Sequence, residues 1–172
     1  MANTAVGLSS APSRHRAGLA VAAYLAYALV AVIGAVTGSL SISVAGTAVY
    51  FLVAVALYAL FESADRRIAI VALPLAALGC VIQGVGIIEA DTSLIRVALV
   101  FFGLFLVVLG YLATRSAFAP RWLGIWLELA GAGWCTFVLS GTPYPVQVVV
   151  MALGGLSEVA LLIWLIVLAV RR

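Results

Sequence analysis

Two long apolar runs flank a short polar hinge, residues 115–121, in the second half of the chain. Each run is long enough to cross the hydrocarbon core of a bilayer, which takes about 20 apolar residues in a helix. The hinge begins with Arg115 and ends with Arg121. Short cytoplasmic loops of membrane proteins are rich in arginine and lysine. The stretch therefore predicts a transmembrane helical hairpin whose turn lies in the cytoplasm.

The remainder of the chain repeats this alternation of apolar runs and short polar turns. Of the 172 residues, 66% are hydrophobic and 9% are charged, whereas a soluble domain is about half apolar and a quarter charged. We therefore predict an all-α, multi-pass membrane protein in which a flexible tail, 1–13, precedes a single six-helix transmembrane domain, 14–172. The predicted spans are 17–36, 47–61, 68–88, 94–114, 122–139 and 146–170. Residues 39–46 and 141–145 are predicted to form outer turns.

The arginines are distributed unequally between the two sides of this layout. Eight of them fall on one side: Arg14, Arg16, Arg66, Arg67, Arg115, Arg121, Arg171 and Arg172. The opposite side has Arg96 with Glu89 and Asp91. The positive-inside rule then predicts six spans with both termini in the cytoplasm. Cleavage of the first run as a signal peptide is the alternative, but this run is longer than the usual 7–15 apolar residues.

Missing residue types exclude several functions. The chain has no lysine, so it cannot form a retinal Schiff base, and its one histidine, His15, excludes bis-histidine haem and His-rich metal sites. Cys80 and Cys135 lie in apolar runs, in a pattern typical of small buried residues. No motif for a nucleotide, a catalytic serine or zinc is present. The sequence therefore predicts no cofactor, no metal site and no nucleic-acid partner.

Polar residues inside the spans are the candidate site. Transmembrane helices associate through small and polar residues, and Glu158 and Glu128 lie on the small-residue faces of the last two spans. Glu158 is predicted at the bilayer midplane, where an ionised carboxylate costs roughly 2.5 kcal/mol or more. Each glutamate is either part of an intramembrane polar pocket or proton site, or a protonated hydrogen-bonding clamp between helices.

Three further polar residues complete the predicted pocket. Gln147 shares a helical face with Glu158, and Gln83 either bonds two helices or lines the pocket. Arg96 either pairs outward with Glu89 and Asp91 or points inward as a counter-charge. The aromatic residues predicted to anchor span ends at the membrane interface are Tyr50, Tyr111, Trp122 and Tyr144.

The hinge and the last span resemble a known family. The relevant segments are 109–112 (LGYL), 115–116 (RS), 120–124 (PRWLG) and 157–158 (SE) followed by 162–165 (LIWL). Over about residues 96–170 the chain resembles the bacterial membrane family called domain of unknown function 4386. The resemblance implies a bacterial polytopic membrane protein in the cytoplasmic membrane. It also implies that a glutamate recurs at the position of Glu158, but it implies no activity.

Three classes of function are compatible with these features. The first is a non-enzymatic bundle in the lipid bilayer, either an accessory subunit or a binder of a lipid or hydrophobic small molecule, with a homo-oligomer or a membrane protein as further partner. The second is a small proton-coupled transporter that uses Glu158. The third is an intramembrane enzyme with Glu158 and Glu128 as acid and base, which no nucleophile or cofactor motif supports. The sequence favours the first class.

Overall fold

The computed structural model describes residues 14–139 and 143–171. The predicted tail, 1–13, and residues 141–142 of the predicted last turn lie outside the described residues. The described chain is helical and has no strand, which confirms the all-α prediction. Its helices are α1 (Arg14–Thr37), α2 (Leu40–Phe61), α3 (Arg66–Ile88), α4 (Thr92–Arg115), α5 (Arg121–Cys135) and α6 (Tyr144–Arg171), with a 3-10 turn at Thr136–Val138 after α5.

Five of these helices, α1 to α4 and α6, are long and apolar enough to cross a membrane. The chain is therefore a multi-pass membrane protein by the length and composition of its helices. The fifth helix differs from the predicted span 122–139, because α5 has 15 residues and ends at Cys135. At 1.5 Å per residue it is about 22 Å long, less than the roughly 30 Å of a hydrocarbon core. Six spans therefore stay a prediction.

The six helices form a closed ring in chain order. Each helix packs against the next one along the chain, and α6 packs against α1. Connections of a few residues make consecutive helices antiparallel, so every second chain turn lies at the same end of the ring. The closure is visible where Arg14 Nε, at the start of α1, donates to the carbonyl oxygen of Ala169, near the end of α6, at 2.9 Å.

The two ends of the ring differ in charge. We call the end with the start of α1 and the end of α6 the arginine-rich end; its described arginines are Arg14, Arg16, Arg66, Arg67, Arg115, Arg121 and Arg171. The opposite end, here the arginine-poor end, has the α1–α2, α3–α4 and α5–α6 turns and one described arginine, Arg96. Arg16 Nη1 pairs with Glu62 Oε1 at 2.7 Å and ties α1 to α2 at the arginine-rich end.

The predicted outer turn at 39–46 is wrong, because α2 begins at Leu40. Gly38 adopts a φ of +63°, which ends α1 in the left-handed conformation that glycine tolerates. Ser39 then caps α2, its Oγ accepting from the backbone nitrogen of Ile42 at 3.5 Å. Two residues therefore suffice for the turn, and the serines that follow it are helical.

The predicted last turn also extends too far. α6 begins at Tyr144, so Pro145 lies in its first turn and not in the loop. A helix has no internal acceptor for the amide groups of its first turn, so a proline there breaks no hydrogen bond. The helix consequently has 28 residues, two more at its start than the predicted span.

Glycines bring α4 and α5 into close contact, as the small-residue stripes of these helices predict. A Cβ atom on Gly103 would lie 2.5 Å from the carbonyl oxygen of Gly131, and one on Gly110 would lie 2.5 Å from that of Gly124. These distances are far below van der Waals contact, so the two backbones approach as closely as they do only because the side chains are absent. Membrane helices use small residues for such contacts.

The packed core occupies one half of the ring. The largest fully buried side chains all lie on the arginine-rich side of the midpoints of their helices: Phe61, Phe105, Leu57, Leu60, Leu106, Leu109, Leu112, Leu123, Leu127, Leu161, Leu165 and Val53. At this end the rings of Phe61, Phe118 and Trp164 stack, with centroids 5.4–6.1 Å apart. The half nearer the arginine-poor end has fewer large side chains in its interior.

Candidate functional site

A cavity of about 170 Å³ lies inside the ring, and all six helices contribute to its wall. Its lining residues are Tyr27 of α1, Tyr50 of α2, Gln83 of α3, Leu99 and Phe102 of α4, Trp134 of α5, and Met151 and Glu158 of α6. Glu158 and Gln83, two of the five predicted site residues, therefore share this cavity. Glu158 is the charged residue among those that line it.

Glu158 lies near the middle of α6, fifteenth of its 28 residues. Tyr50 Oη donates a hydrogen bond to Glu158 Oε1 at 3.2 Å. The side chain of Glu158 is half-buried, and so is that of Glu128. The sequence predicted buried carboxylates, and this part of the prediction is not confirmed. The difference has a local reason for Glu158, because its side chain faces an open cavity and not the packed core.

Tyr50 belongs to the site, so its prediction as an interface anchor is wrong. Its side chain is 4% exposed, and its ring packs against Tyr27 and Phe102 with centroids 4.8 and 5.1 Å away. The error follows from the late start that the sequence analysis predicted for the second span. A helix beginning at 47 places Tyr50 near a membrane interface, whereas the observed start at Leu40 places it in the middle of the span.

Tyr24 and Tyr27 of α1 were missed by the sequence reasoning. Tyr27 lines the cavity that Glu158 lines, and Tyr24 is buried about one helical turn away on α1. The Tyr24 hydroxyl is buried and has no hydrogen-bond partner in the described part of the chain. A signal was available: the two tyrosines lie three residues apart near the middle of a span, where a hydroxyl group requires a partner.

Trp134 supplies an unpartnered donor. Its Nε1 atom is buried and has no hydrogen-bond partner among the described residues, and its side chain lines the cavity. The indole lies against Gly154 of α6, and a Cβ atom on Gly154 would overlap it. Gly154 therefore creates the space in which Trp134 reaches the cavity. A buried donor without an acceptor is costly, about 1–3 kcal/mol.

The other three predicted site residues do not line the cavity. Glu128 lies in the α4–α5 contact, where a Cβ atom on Gly110 would be 2.7 Å from Glu128 Cγ. Gln147 is half-buried in the first turns of α6. Arg96 is exposed. Within residues 14–139 and 143–171 it forms no ion pair, neither outward with Glu89 or Asp91 nor inward as a counter-charge.

Asp91 caps a helix and does not pair with Arg96. Its Oδ1 atom accepts from the backbone nitrogen of Ser93 at 2.8 Å and from Ser93 Oγ at 2.5 Å. These bonds, the hydroxyl first, lower the pKa of Asp91 below its ordinary value because they favour the ionised form. The carboxylate also lies at the amino-terminal end of α4, which favours negative charge.

The described residues include no group of three His, Cys, Asp or Glu side chains that could hold a metal ion. The cavity wall instead combines one carboxylate, one amide and four aromatic rings. Such a set can bind a small polar molecule. It contains no nucleophile with an adjacent base, so nothing in it indicates covalent catalysis.

These features define a multi-pass helical membrane protein with a polar cavity inside the ring. Residues 89–169 match the model of a protein family described as domain of unknown function 4386 (DUF4386), which confirms the resemblance over this segment. The segment covers α4, α5 and most of α6, so it includes Glu158 and Trp134 but not Tyr27, Tyr50 or Gln83. No curated protein and no solved structure matches the chain.

Proposed function

We propose that this protein is a non-enzymatic membrane protein that binds a small organic cation inside the bilayer, with Glu158 as the counter-charge. The observation that supports it is the composition of the 170 Å³ cavity wall, in which one carboxylate is surrounded by aromatic rings. No residue described as lining the cavity is cationic. A ligand cation would supply the charge that this carboxylate lacks.

The energetics of the membrane favour this pairing. A carboxylate at the centre of a spanning helix costs roughly 2.5–3.5 kcal/mol on insertion scales, and a bound cation would offset part of that cost. The aromatic residues Tyr27, Tyr50, Phe102 and Trp134 line the same wall. A cation over an aromatic face gains about 2 kcal/mol or more when it is desolvated. Aromatic rings with a carboxylate are a recurring environment for quaternary ammonium groups.

The size of the cavity limits the ligand. An apolar cavity of about 150 Å³ accommodates benzene in another protein, whereas drug-sized ligands need about 300–1,000 Å³. The 170 Å³ site thus fits a cation of roughly seven non-hydrogen atoms. The Gln83 amide on the cavity wall can donate to and accept from a polar group of that ligand. Choline, a quaternary ammonium with a hydroxyl group, has this combination of size and chemistry.

The proposal includes a membrane topology. We propose six crossings of a bacterial cytoplasmic membrane, with the arginine-rich end in the cytoplasm. The distribution of described arginines between the two ends supports this orientation. With the 3-10 turn Thr136–Val138, α5 reaches about 28 Å, close to the thickness of a hydrocarbon core.

The cavity supports one of the two other functional classes and not the other. A proton-coupled carrier is the second candidate, because a proton and an organic cation would compete for the same Glu158 carboxylate. An intramembrane enzyme with paired carboxylates gains no support, since Glu128 does not line the cavity that Glu158 lines.

Equilibrium binding of radiolabelled choline to the purified protein in lipid nanodiscs tests the proposal. The neutral isostere of choline, in which carbon replaces nitrogen, is the control ligand. We expect choline to bind and the isostere to compete poorly. Glu158→Gln should weaken binding by roughly 30-fold or more, because removing one partner of a buried charge pair costs about 2–5 kcal/mol.

Glu128→Gln is the matched control variant, since it removes the other predicted intramembrane carboxylate outside the cavity. Its affinity for choline should equal that of the wild type. Wild-type binding should weaken as the pH falls, because protons compete for Glu158, and Glu158→Gln should abolish this pH dependence. Equal binding of the isostere, or loss of binding in Glu128→Gln with retention in Glu158→Gln, would refute the proposal.

A further inference from the structure

We infer that the Glu158 cavity is reached from the arginine-poor end, through a polar passage between α1, α2 and α3. The passage is a second cavity of about 210 Å³. It shares Tyr27 and Gln83 with the Glu158 cavity, so the two spaces adjoin at these side chains. The ligand in this inference is that of the proposed function, on which it rests, whereas the passage itself is inferred from the two cavities.

The passage runs along the first turns of α2. Ser43 and Thr47 line it, one helical turn apart, and Tyr50 follows at the Glu158 cavity. From Ser43 to Tyr50 the helix rises about 10 Å. Ala35 of α1 and Ile87 of α3 lie on the same wall, each within a few residues of a helix end at the arginine-poor end. The passage therefore extends from that end towards the middle of the bundle.

The wall of the passage suits a hydrated cation. Hydroxyl groups of Ser43 and Thr47 and the amide of Gln83 occur in succession along it. Thr47 Oγ1 donates its proton to the carbonyl oxygen of Val44 at 2.7 Å, which leaves the lone pairs of the hydroxyl oxygen as acceptors. Acceptor oxygens can replace part of the hydration of a cation on its way to Glu158.

The opposite half of the ring is closed. Between the Glu158 cavity and the arginine-rich end, Leu57, Leu60 and Phe61 of α2 and Leu161 and Leu165 of α6 are fully buried. Aromatic stacking involving Phe61 closes the last turn at this end. Interiors packed in this way have few voids larger than a water molecule. Among the described residues, the Glu158 cavity therefore does not continue towards the arginine-rich end.

Charge reinforces the one-sided access. A cation approaching the arginine-rich end meets seven described arginines, whereas the α3–α4 turn at the other end carries Glu89 and Asp91. Both acidic residues lie at the end where the passage begins, with Arg96 as the opposing charge. With the proposed orientation, the protein would capture an organic cation from outside the cytoplasm.

Cysteine accessibility tests the passage without assuming the ligand. In a Cys80→Ala, Cys135→Ala background, Thr47→Cys is placed in the passage. Ala54→Cys is the matched control, two turns further along the same face of α2 and fully buried on the closed side. The reagent is a membrane-impermeant methanethiosulfonate with a quaternary ammonium group, applied to right-side-out and inverted membrane vesicles.

We expect Thr47→Cys to react in right-side-out vesicles only, and Ala54→Cys to react in neither preparation. Modification of Ala54→Cys in inverted vesicles, or an unreactive Thr47→Cys in both preparations, would overturn the inference. Should Thr47→Cys fail to fold, as judged by gel filtration, Ser43→Cys replaces it with the same expectation.

The two proposals can fail separately. Reactive Thr47→Cys without choline binding would leave the passage and refute the ligand. Choline binding with an unreactive passage would leave the ligand site and refute the route. Where both hold, choline should protect a cysteine at Gln83 from the reagent, since Gln83 lies where the two cavities adjoin.

Discussion

Replacing Gly110 with alanine should separate α4 from α5. The added Cβ atom would lie 2.5 Å from the carbonyl oxygen of Gly124 and 2.7 and 2.8 Å from Glu128 Cγ and N. Ordinary contact begins at 3.4 Å, so the closest approach is short by about 0.9 Å. Two of the three atoms are backbone, which cannot rotate away. The helices must therefore move apart along their shared surface.

The expected cost is that of overpacking, about 1–3 kcal/mol. Gly155→Ala is the control, because a Cβ atom there meets nothing within 4 Å. Both substitutions share the gain in helix propensity of about 0.5–1 kcal/mol over glycine. The difference between the two variants therefore isolates the clash, and it corresponds to a roughly 5- to 150-fold change in the unfolding equilibrium.

The measurement is unfolding by sodium dodecyl sulfate in mixed micelles, followed by circular dichroism. Gly110→Ala should unfold at a lower detergent fraction than the wild type, and Gly155→Ala at an equal or higher one. If Gly110→Ala proves as stable as Gly155→Ala, α4 and α5 do not cross at this glycine, and the packing described for them is refuted.

Three further substitutions test other parts of the fold. Gly154→Ala should displace the indole of Trp134 from the cavity wall, and it should weaken binding of radiolabelled choline by roughly tenfold or more, about the value of one aromatic contact to a desolvated cation. Glu62→Gln should cost less than about 1 kcal/mol in detergent unfolding, because the side chains of its ion pair with Arg16 are 43% and 28% exposed and water screens them. Hydrogen bonds lower the pKa of Asp91, so its stabilising charge is present above the ordinary value of 3.8 and is lost as the pH falls through the lower folded value. The thermal midpoint of the wild type should fall over that acid range more than that of Asp91→Asn, and equal acid dependence would contradict the cap.

Residue patterns within single helices were predictable. The small-residue face that carries Glu128 predicted a helix contact on the fifth span, and Gly124 and Gly131 of α5 lie against α4. The position of Glu158 in the middle of a span followed from counting residues between polar ends. Both inferences depend on the fixed geometry of one helix, which the sequence specifies locally.

Helix boundaries were the weak point, and one boundary error led to an error in the site. Polar but uncharged residues at 39–46 resemble a loop, although serine is tolerated inside a membrane helix through bonds to the preceding turn. The predicted start of α2 was therefore late, and Tyr50 was assigned to the membrane interface. With the start at Leu40, the same residue donates to Glu158 in the middle of the bundle.

By itself, the sequence determined that this chain consists of apolar helices with unequal charge at their two ends, because hydrophobicity and charge act on each segment separately. Only the tertiary structure decided which side chains meet. Tyr50 and Glu158 are 108 residues apart, and they form a hydrogen bond because α6 returns to α1 and closes the ring. The unpartnered Trp134 and the dense core in one half also depend on that closure, since no local pattern encodes which helices become neighbours.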